Sequence, residues 1–492
     1  MRIAIVGTGF SGLGMAIRLK QAGIDDFVVL ERADEVGGTW RENTYPGCQC
    51  DVPSHLYSFS FAPNPDWSRT YSRQQEIWEY LRDCAERFGI TPHIRFNHDV
   101  REAAWDEEQK RWRLDTSQGE LEAEVLIAGM GPLTEPQLPN IPGLEGFEGT
   151  VFHSAEWNHD HDLHGERVAS IGTGASAIQY VPRIQPEVEQ LYVFQRTAPW
   201  VMPHSDRPIT DVERRMYRRF PALQRFVRSA VYWGREWLVL GFTRDKRLMK
   251  ALSRVARRHM KKTVTDPELR ARLTPDYTLG CKRILPSNDW YPAITRPNAE
   301  VVTEAISEIR PHSIVTADGT ERPVDTIVLG TGFHVSDMPA AQHLRGKDGR
   351  LLSQVWNEGA ESYLGTTVAG FPNFFFLIGP NTGLGHTSLV YMVEAQHDYV
   401  LDCIRTMDER GLETVEVRPE VQTAFNEEVQ ARMPGTVWMS GGCASYYIDP
   451  RGRITTLWPD FTFRYRRRTR RFDLPSYVTT PVRSPEPVPA AG

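Results

Sequence analysis

The chain has 492 residues, 40% of them hydrophobic, too many for one ordinary core and suited to two or three domains. A formal charge of −6 argues against a general nucleic-acid binder, which would carry a basic excess, and no apolar run approaches the roughly twenty residues needed to cross a bilayer. The six scattered cysteines (Cys48, Cys50, Cys84, Cys281, Cys403, Cys443) argue against a disulfide framework, and the short run after Met1-Arg2 is no secretory segment, so the cytoplasm is the expected compartment.

In chain order, Ile3-Ala4-Ile5-Val6 is a short β-branched run of the kind found in buried parallel strands. It enters the turn Gly7-Thr8-Gly9-Phe10-Ser11-Gly12, and a helix is expected over residues 13–22, capped by Gly23. A second strand over residues 27–30 ends at Glu31-Arg32. Gly7 permits the tight turn, Gly9 lets backbone approach a pyrophosphate, and Gly12 lets helix and strand pack closely. The helix N-terminus offers unpaired N–H groups to phosphate, and Glu31 stands where a carboxylate accepts hydrogen bonds from an adenosine ribose. The alternative, a packing turn without a ligand, leaves the spacing of strand, helix and acid unexplained.

The unit recurs. After a proline-rich linker (residues 132–142), a strand over 168–171 leads into Gly172-Thr173-Gly174-Ala175-Ser176-Ala177, a helix expected to end near Pro182, and a strand over 191–194. Ala177 replaces the third glycine, which the packing role tolerates. This strand ends in Gln195-Arg196-Thr197, with no carboxylate for a free 2′-hydroxyl and a guanidinium suited to a 2′-phosphate. The site therefore reads as NADPH, the alternative being that Arg196 points into solvent. Two dinucleotide sites in one chain imply two cofactors exchanging electrons: FAD at the first and NADPH at the second.

Further along, residues 210–273 are basic, aromatic and helical in pattern. They read as an insertion with one packed face and one solvated basic face, with a membrane-surface helix as the functional alternative. The basic run RYRRRTRR over residues 464–471 reads as a surface strand or loop near acidic partners. The expected layout is α/β: two Rossmann-like dinucleotide-binding domains with a helical insertion. The FAD domain takes residues 1–145 and 335–475, and the NADPH domain 146–334 with its insertion at about 205–275; residues 476–492 form a disordered tail.

Phe147-x-Gly149-x-x-x-His153-x-x-x-Trp157 resembles the fingerprint of the type I Baeyer–Villiger monooxygenases, although Asn158 stands where that family commonly has Pro or Asp. Relatives that oxidise amines and sulfides usually carry other residues at the Trp position. The resemblance gives Phe147, Gly149, His153 and Trp157 a conformational role between the nucleotide domains. Gly37-Gly38-Thr39-Trp40, Tyr45-Pro46-Gly47 and Asp51 match a second motif, which implies that Gly38, Thr39 and Trp40 contact flavin and that Asp51 lies near its ring system. Cys281-Lys282-Arg283 resembles the segment carrying the active-site arginine, with Lys282 assigned to the nicotinamide cofactor beside Arg196 and Thr197. Residues 325–333 (DTIVLGTGF) resemble the return to the flavin domain, and residues 373–386, with Asn381, the later approach to flavin. Where the family often has Ser-Trp-Tyr, this chain has Ser445-Tyr446-Tyr447.

The resemblance implies that NADPH and O2 are used to insert one oxygen atom beside the carbonyl of a small-molecule ketone, through a C4a-peroxyflavin, giving an ester or lactone. Such a reaction needs a fixed cation, and Arg283 supplies one that does not titrate near neutral pH. Asp51 would orient it, so a close ion pair is expected between residues far apart in sequence. Retained NADP⁺ would keep water out. The competing readings are an S- or N-oxidising monooxygenase and a non-catalytic nucleotide-binding regulator. A flavin disulfide reductase would need a Cys-x-x-Cys pair, and the chain has only Cys48-x-Cys50. No metal site is expected: Cys48, Cys50 and His55 lack a second ligand pair at structural-zinc spacing.

Overall fold

The structure is a computed structural model that describes residues 2–335, 338–445, 447–449 and 451–482. Its frame is a pair of five-stranded parallel sheets. The first holds β1 (Ile3–Val6), β2 (Phe27–Leu30), β3 (Ile94–Arg95) and β4 (Val125–Ala128). The second holds β5 (Thr150–His153), β6 (Arg167–Ile171), β7 (Gln190–Phe194), β8 (Ala299–Val302) and β9 (Thr326–Leu329). The chain then returns, and β10 (Phe374–Phe376) completes the first sheet in the order β10-β4-β1-β2-β3. The second sheet runs β8-β7-β6-β9-β5. β2, β4 and β9 are buried along their whole length, which is why these segments read as unbroken apolar runs rather than alternating ones.

α1 (Phe10–Gln21) begins three residues before the expected position, because the extended Gly9 serves as its N-cap and the glycine turn itself forms the first helical turn. α2 (Ala177–Ile184) continues through Pro182 instead of ending there. The insertion contains α3 (Asp211–Arg219), α4 (Pro221–Glu236) and α5 (Lys246–Thr263). α5 has the expected division, with Met249, Ala256 and Met260 buried and Arg247, Lys250, Arg254 and Arg258 exposed. α4 does not: its solvent face is apolar.

Two further expectations are corrected after α6 (Leu389–Arg410) and β11 (Leu412–Val417). The basic run begins as helix, not strand: Thr462–Arg468 is α7, only residues 469–471 lie beyond it, and acidic partners are present as expected, Asp460 for Arg464 at 3.0 Å and Glu428 for Arg468 at 2.6 Å. The expected tail is structured at its start, where β12 (Tyr477–Pro481) pairs antiparallel with β11 and buries Tyr477. Its β-branched residues Val478, Thr479 and Thr480 carry that strand between the prolines that suggested disorder; residues 483–492 lie outside the described residues. Among the described residues no helix is long and apolar enough to cross a membrane.

α6 packs along α1, and its fully buried His397 is hydrogen-bonded to the Ser11 carbonyl at 2.8 Å. Burial pushes the His397 imidazole down to about 3. Burial, helped by the Arg228 charge, pushes His55 down to about 4. Both folded values lie below the unfolded value of about 6.5, so their contribution to stability is complete above that pH and is lost as pH falls through the window beneath it. Each site is expected to cost up to about 1.4 kcal/mol per pH unit there. Melting temperatures should fall steadily from pH 6.5 to 4, with a shallower slope for His397→Gln. A flat profile would contradict this.

Candidate active site

A cavity of about 630 Å³ opens at the C-terminal ends of the first sheet. The turn supplies Gly7, Gly9, Phe10 and Ser11 to its wall, and Glu31, Arg32, Gly38, Thr39, Trp40 and residues 130–135 of the linker complete much of the rest. Gly12 sits behind the wall, where a Cβ would lie 1.9 Å from the Gly7 carbonyl oxygen, so helix and turn can touch only if this residue is glycine. The first turn of α1 carries no acidic side chain, which leaves its positive end open to an anion. Glu31 is buried and fixed: Oε2 accepts from Thr8 N at 2.9 Å and Thr8 Oγ1 at 2.5 Å, while Oε1 accepts from Ala33 N at 3.0 Å. Three bonds leave a carboxylate room for another donor such as a ribose hydroxyl. Arg32 is held by Glu42 and Glu135 at 3.1 and 2.9 Å. Trp40 Nε1 donates to Tyr57. Asn381 is buried close in sequence to Leu377 and Ile378, which line this cavity, and its amide donates to Asn426 at 2.9 Å.

The second turn is built alike, with the buried Ala177 in the packing position and Gly174 and Ala175 exposed at its tip. Thr173 Oγ1 donates to the Thr197 carbonyl at 3.3 Å, tying the turn to the end of β7. Arg196 is exposed there, and it stands close enough to Lys282 to depress the ammonium's pKa further after partial burial has already lowered it. Two mutually repelling cations thus stand together beside the second turn.

Between the two turns, the segment containing Thr39 and Trp40 continues past a second cavity of about 570 Å³, lined by residues 44–51 and by Gln179, Arg183, His204 and Asp206. Asp51 and Arg283 meet here in the expected pair. Arg283 Nε donates to Oδ2 at 2.7 Å and Nη2 to Oδ1 at 2.6 Å, a bidentate geometry that fixes the guanidinium plane. Burial alone would raise the Asp51 pKa, but the charge and hydrogen bonds of Arg283, with the Arg235 charge behind them, hold it below the ordinary carboxylate range.

The Phe147–Trp157 motif lies along the same seam. A Cβ on Gly149 would strike the Asp325 carbonyl oxygen at 2.2 Å and the Phe147 ring at 2.5 Å. His153 is buried, caps the following turn by accepting from Ala155 N, and stands edge-on to Phe333. Trp157 packs on Tyr180 of α2 (5.4 Å), which packs on Tyr45 (6.2 Å), whose hydroxyl donates to Gln179. Gln179 also bonds both the N–H and the carbonyl of Gln49. Aromatic and amide contacts thus join the motif to the segment carrying Asp51.

Some residues of the site had no signal in the sequence. Arg235 of α4 donates to the Asp51 carbonyl and the Tyr71 hydroxyl, each at 3.3 Å. Its neighbour Glu236 is fully buried and accepts from Thr462 Oγ1 at 2.8 Å, with His386 Nε2 at 3.3 Å. Cys281 forms a disulfide with Cys443, so the cysteine expectation is corrected: one bond, spanning 162 residues, ties the Lys282–Arg283 segment to the C-terminal part. Cys48 and Cys50 are buried free thiols, Cys48 pushed up to about 12 by burial, and no metal-binding group occurs among the described residues. Of Ser445-Tyr446-Tyr447, Tyr446 lies outside the described residues.

Two parallel-sheet nucleotide folds flanking a fixed carboxylate–guanidinium pair define an oxidoreductase that binds two dinucleotides. Residues 4–228 match the family model described as pyridine nucleotide-disulphide oxidoreductase. A Baeyer-Villiger monooxygenase of Streptomyces coelicolor is 53% identical over 97% of this chain and 92% of its own length, and one from Pseudomonas aeruginosa is 51% identical over 98% and 92%. The crystal structure of cyclohexanone monooxygenase from Rhodococcus sp. Phi1 bound to NADP⁺ superimposes with a TM-score of 0.87 at 27% identity, covering 98% of this chain and 99% of that one. That of OTEMO in complex with FAD and NADP gives 0.89 at 27% identity, with the same coverage. The chain belongs to the Baeyer–Villiger monooxygenase family.

Proposed function

We propose that the protein uses FAD, NADPH and O2 to insert one oxygen atom beside the carbonyl of a small-molecule ketone, releasing an ester or lactone. The observation that carries this reading is the bidentate Asp51–Arg283 pair between the two nucleotide turns. Bound FAD supplies the redox chemistry, taking electrons from NADPH and passing them to O2. The protein's part is to bind, orient and exclude water. Gly7, Gly9, Phe10, Ser11, Gly12, Glu31, Arg32, Gly38, Thr39 and Trp40 hold FAD in the domain formed by residues 1–145 and 335–475. Gly172, Thr173, Gly174, Ala175, Ser176, Arg196, Thr197 and Lys282 hold NADPH in residues 146–334.

Arg283 stabilises negative charge that develops on the ketone oxygen, and Asp51 keeps it in plane and ionised. Phe147, Gly149, His153 and Trp157 couple the domains, the Trp157–Tyr180–Tyr45 contacts giving them a physical route. The net negative charge supports no nucleic-acid partner, and we place the reaction in the cytoplasm.

The nicotinamide half is tested by replacing the cation pair. Arg196→Gln with Lys282→Gln is expected to raise KM for NADPH about 10–100-fold, from the loss of charge-assisted hydrogen bonds to phosphate. KM for NADH should barely move. Equal losses with both coenzymes would contradict the 2′-phosphate assignment. The oxygenation half is tested on a panel of cyclic and linear ketones: ester formed in step with NADPH consumed supports it. Oxidation of sulfides or amines alone would move the protein to the S- or N-oxidising class, and nucleotide binding without turnover would make it a regulator.

A further inference from the structure

α4 is built inside out. Its buried side carries polar and charged groups: Arg228 lies 3.6 Å from Glu394, the Tyr232 hydroxyl 3.0 Å from Thr462 Oγ1, and Glu236 is bonded to Thr462. Its solvent side repeats Ala222, Phe226, Ala230, Trp233 and, at the C-cap, Trp237, with only Arg225 and Ser229 among them as larger polar groups. Phe226 is 69% exposed, Trp237 58% and Trp233 46%. The stripe continues across a second helix. Trp233 lies 5.8 Å from Phe463 of α7, Phe463 lies 5.0 Å from Phe461, and Phe461 lies 6.0 Å from Trp237. Phe461 is itself buried and underlies the exposed Trp233, Trp237 and Phe463, which with Phe226 form an exposed aromatic surface of the kind that marks a contact.

The acids beside the patch are already engaged, Asp460 by Arg432 and Arg464 and Asp245 by the backbone N–H of Arg247, while several arginines there are not. Arg225 is next to Phe226, Arg467 is one helical turn from Phe463, and the Arg244 guanidinium stands 5.9 Å from the Phe461 ring centre. None of these three forms an ion pair among the described residues. A second copy of the chain is a poor fit, because a two-fold contact through this patch would bring the same unpaired arginines together while the nearby acids Asp245 and Asp460 are already engaged.

We infer that this patch docks on a membrane surface containing anionic phospholipid, the aromatic rings at the headgroup boundary and the arginines on lipid phosphates. The helix would lie on the bilayer, not across it. From its other side α4 reaches the Asp51 carbonyl through Arg235, so the docked surface backs directly onto the candidate site.

The test is co-sedimentation of the FAD-loaded protein with vesicles of phosphatidylcholine alone or mixed with phosphatidylglycerol. Binding is expected to the phosphatidylglycerol vesicles, weakening at high salt, and at least about tenfold stronger than to phosphatidylcholine. Phe226→Ser/Trp233→Ser/Trp237→Ser should lower it at least about tenfold with the melting temperature and vesicle-free turnover unchanged. Arg225→Glu/Arg467→Glu should remove the preference for the anionic lipid. Absence of binding to phosphatidylglycerol vesicles, or equal binding by the triple-serine variant, overturns the inference. So does a dimer in sedimentation velocity that the triple-serine variant abolishes while neither protein binds vesicles, which would assign the patch to a second copy.

Discussion

Replacing Arg283 by alanine is expected to cut ester formation by at least about 10²–10³-fold in kcat/KM, the usual loss for a removed oxyanion-stabilising donor. FAD binding and NADPH oxidation should survive, because the wall of the first cavity is built by the Gly7–Ser11 turn, Glu31 and Gly38–Trp40, and the nicotinamide cofactor is assigned to the second turn with Arg196 and Lys282. The electrons then have an outlet only to hydrogen peroxide, so peroxide per NADPH should rise as ester per NADPH falls. The substitution also leaves Asp51 buried without its bidentate partner, with Arg235 bonded to its carbonyl oxygen and not to its carboxylate. Arg283→Lys should recover only part of the activity, since an ammonium restores the charge without the planar fork. Ester yield per NADPH and kcat/KM near wild type in Arg283→Ala would contradict the assignment.

The second large effect is expected at Gly12. A methyl group there would lie 1.9 Å from the carbonyl oxygen of Gly7, whose N–H is bonded to the Leu30 carbonyl, and 3.2 Å from the side chain of Ile5 on mid-sheet β1. Neither can retreat, so α1 must move off the sheet and carry its N-terminus away from the phosphate position. Gly12→Ala is therefore expected to purify with FAD occupancy reduced at least about tenfold and stability lowered by about 1–3 kcal/mol, as for other overpacked contacts. Absorbance at the flavin band relative to protein, with a thermal melt, checks both. Full occupancy would mean that the turn can open without loss, and the cradle geometry would need revision.

What could be read from the sequence follows the range of the forces involved. The glycine turns, Glu31 and the Arg196–Thr197 end of β7 are local features, set by turn sterics and by a strand–helix–strand spacing of a few tens of residues. The Asp51–Arg283 pair is not local, and it was legible only because both segments resemble a family pattern. The Cys281–Cys443 bond spans 162 residues and has no local mark. Arg235 and Glu236 escaped notice because they sit in a helix whose hydrophobic periodicity suggests the wrong inward side. α4 can turn its charged side inward only because Glu394, His386 and Thr462, brought in by the second half of the chain, satisfy those groups. At β12 the flanking prolines outweighed a short β-branched run whose partner, β11, lies sixty-odd residues earlier.

If Asp51 and Arg283 direct an oxygen atom from O2 into a ketone at the expense of NADPH, the product itself carries the record. The most direct test is turnover of a ketone with NADPH under ¹⁸O2, followed by mass spectrometry of the product. An ester or lactone carrying one labelled oxygen is expected, formed in step with NADPH consumption and lost in Arg283→Ala. Unchanged ketone with all NADPH diverted to labelled hydrogen peroxide, or an ester whose new oxygen comes from water, would contradict it.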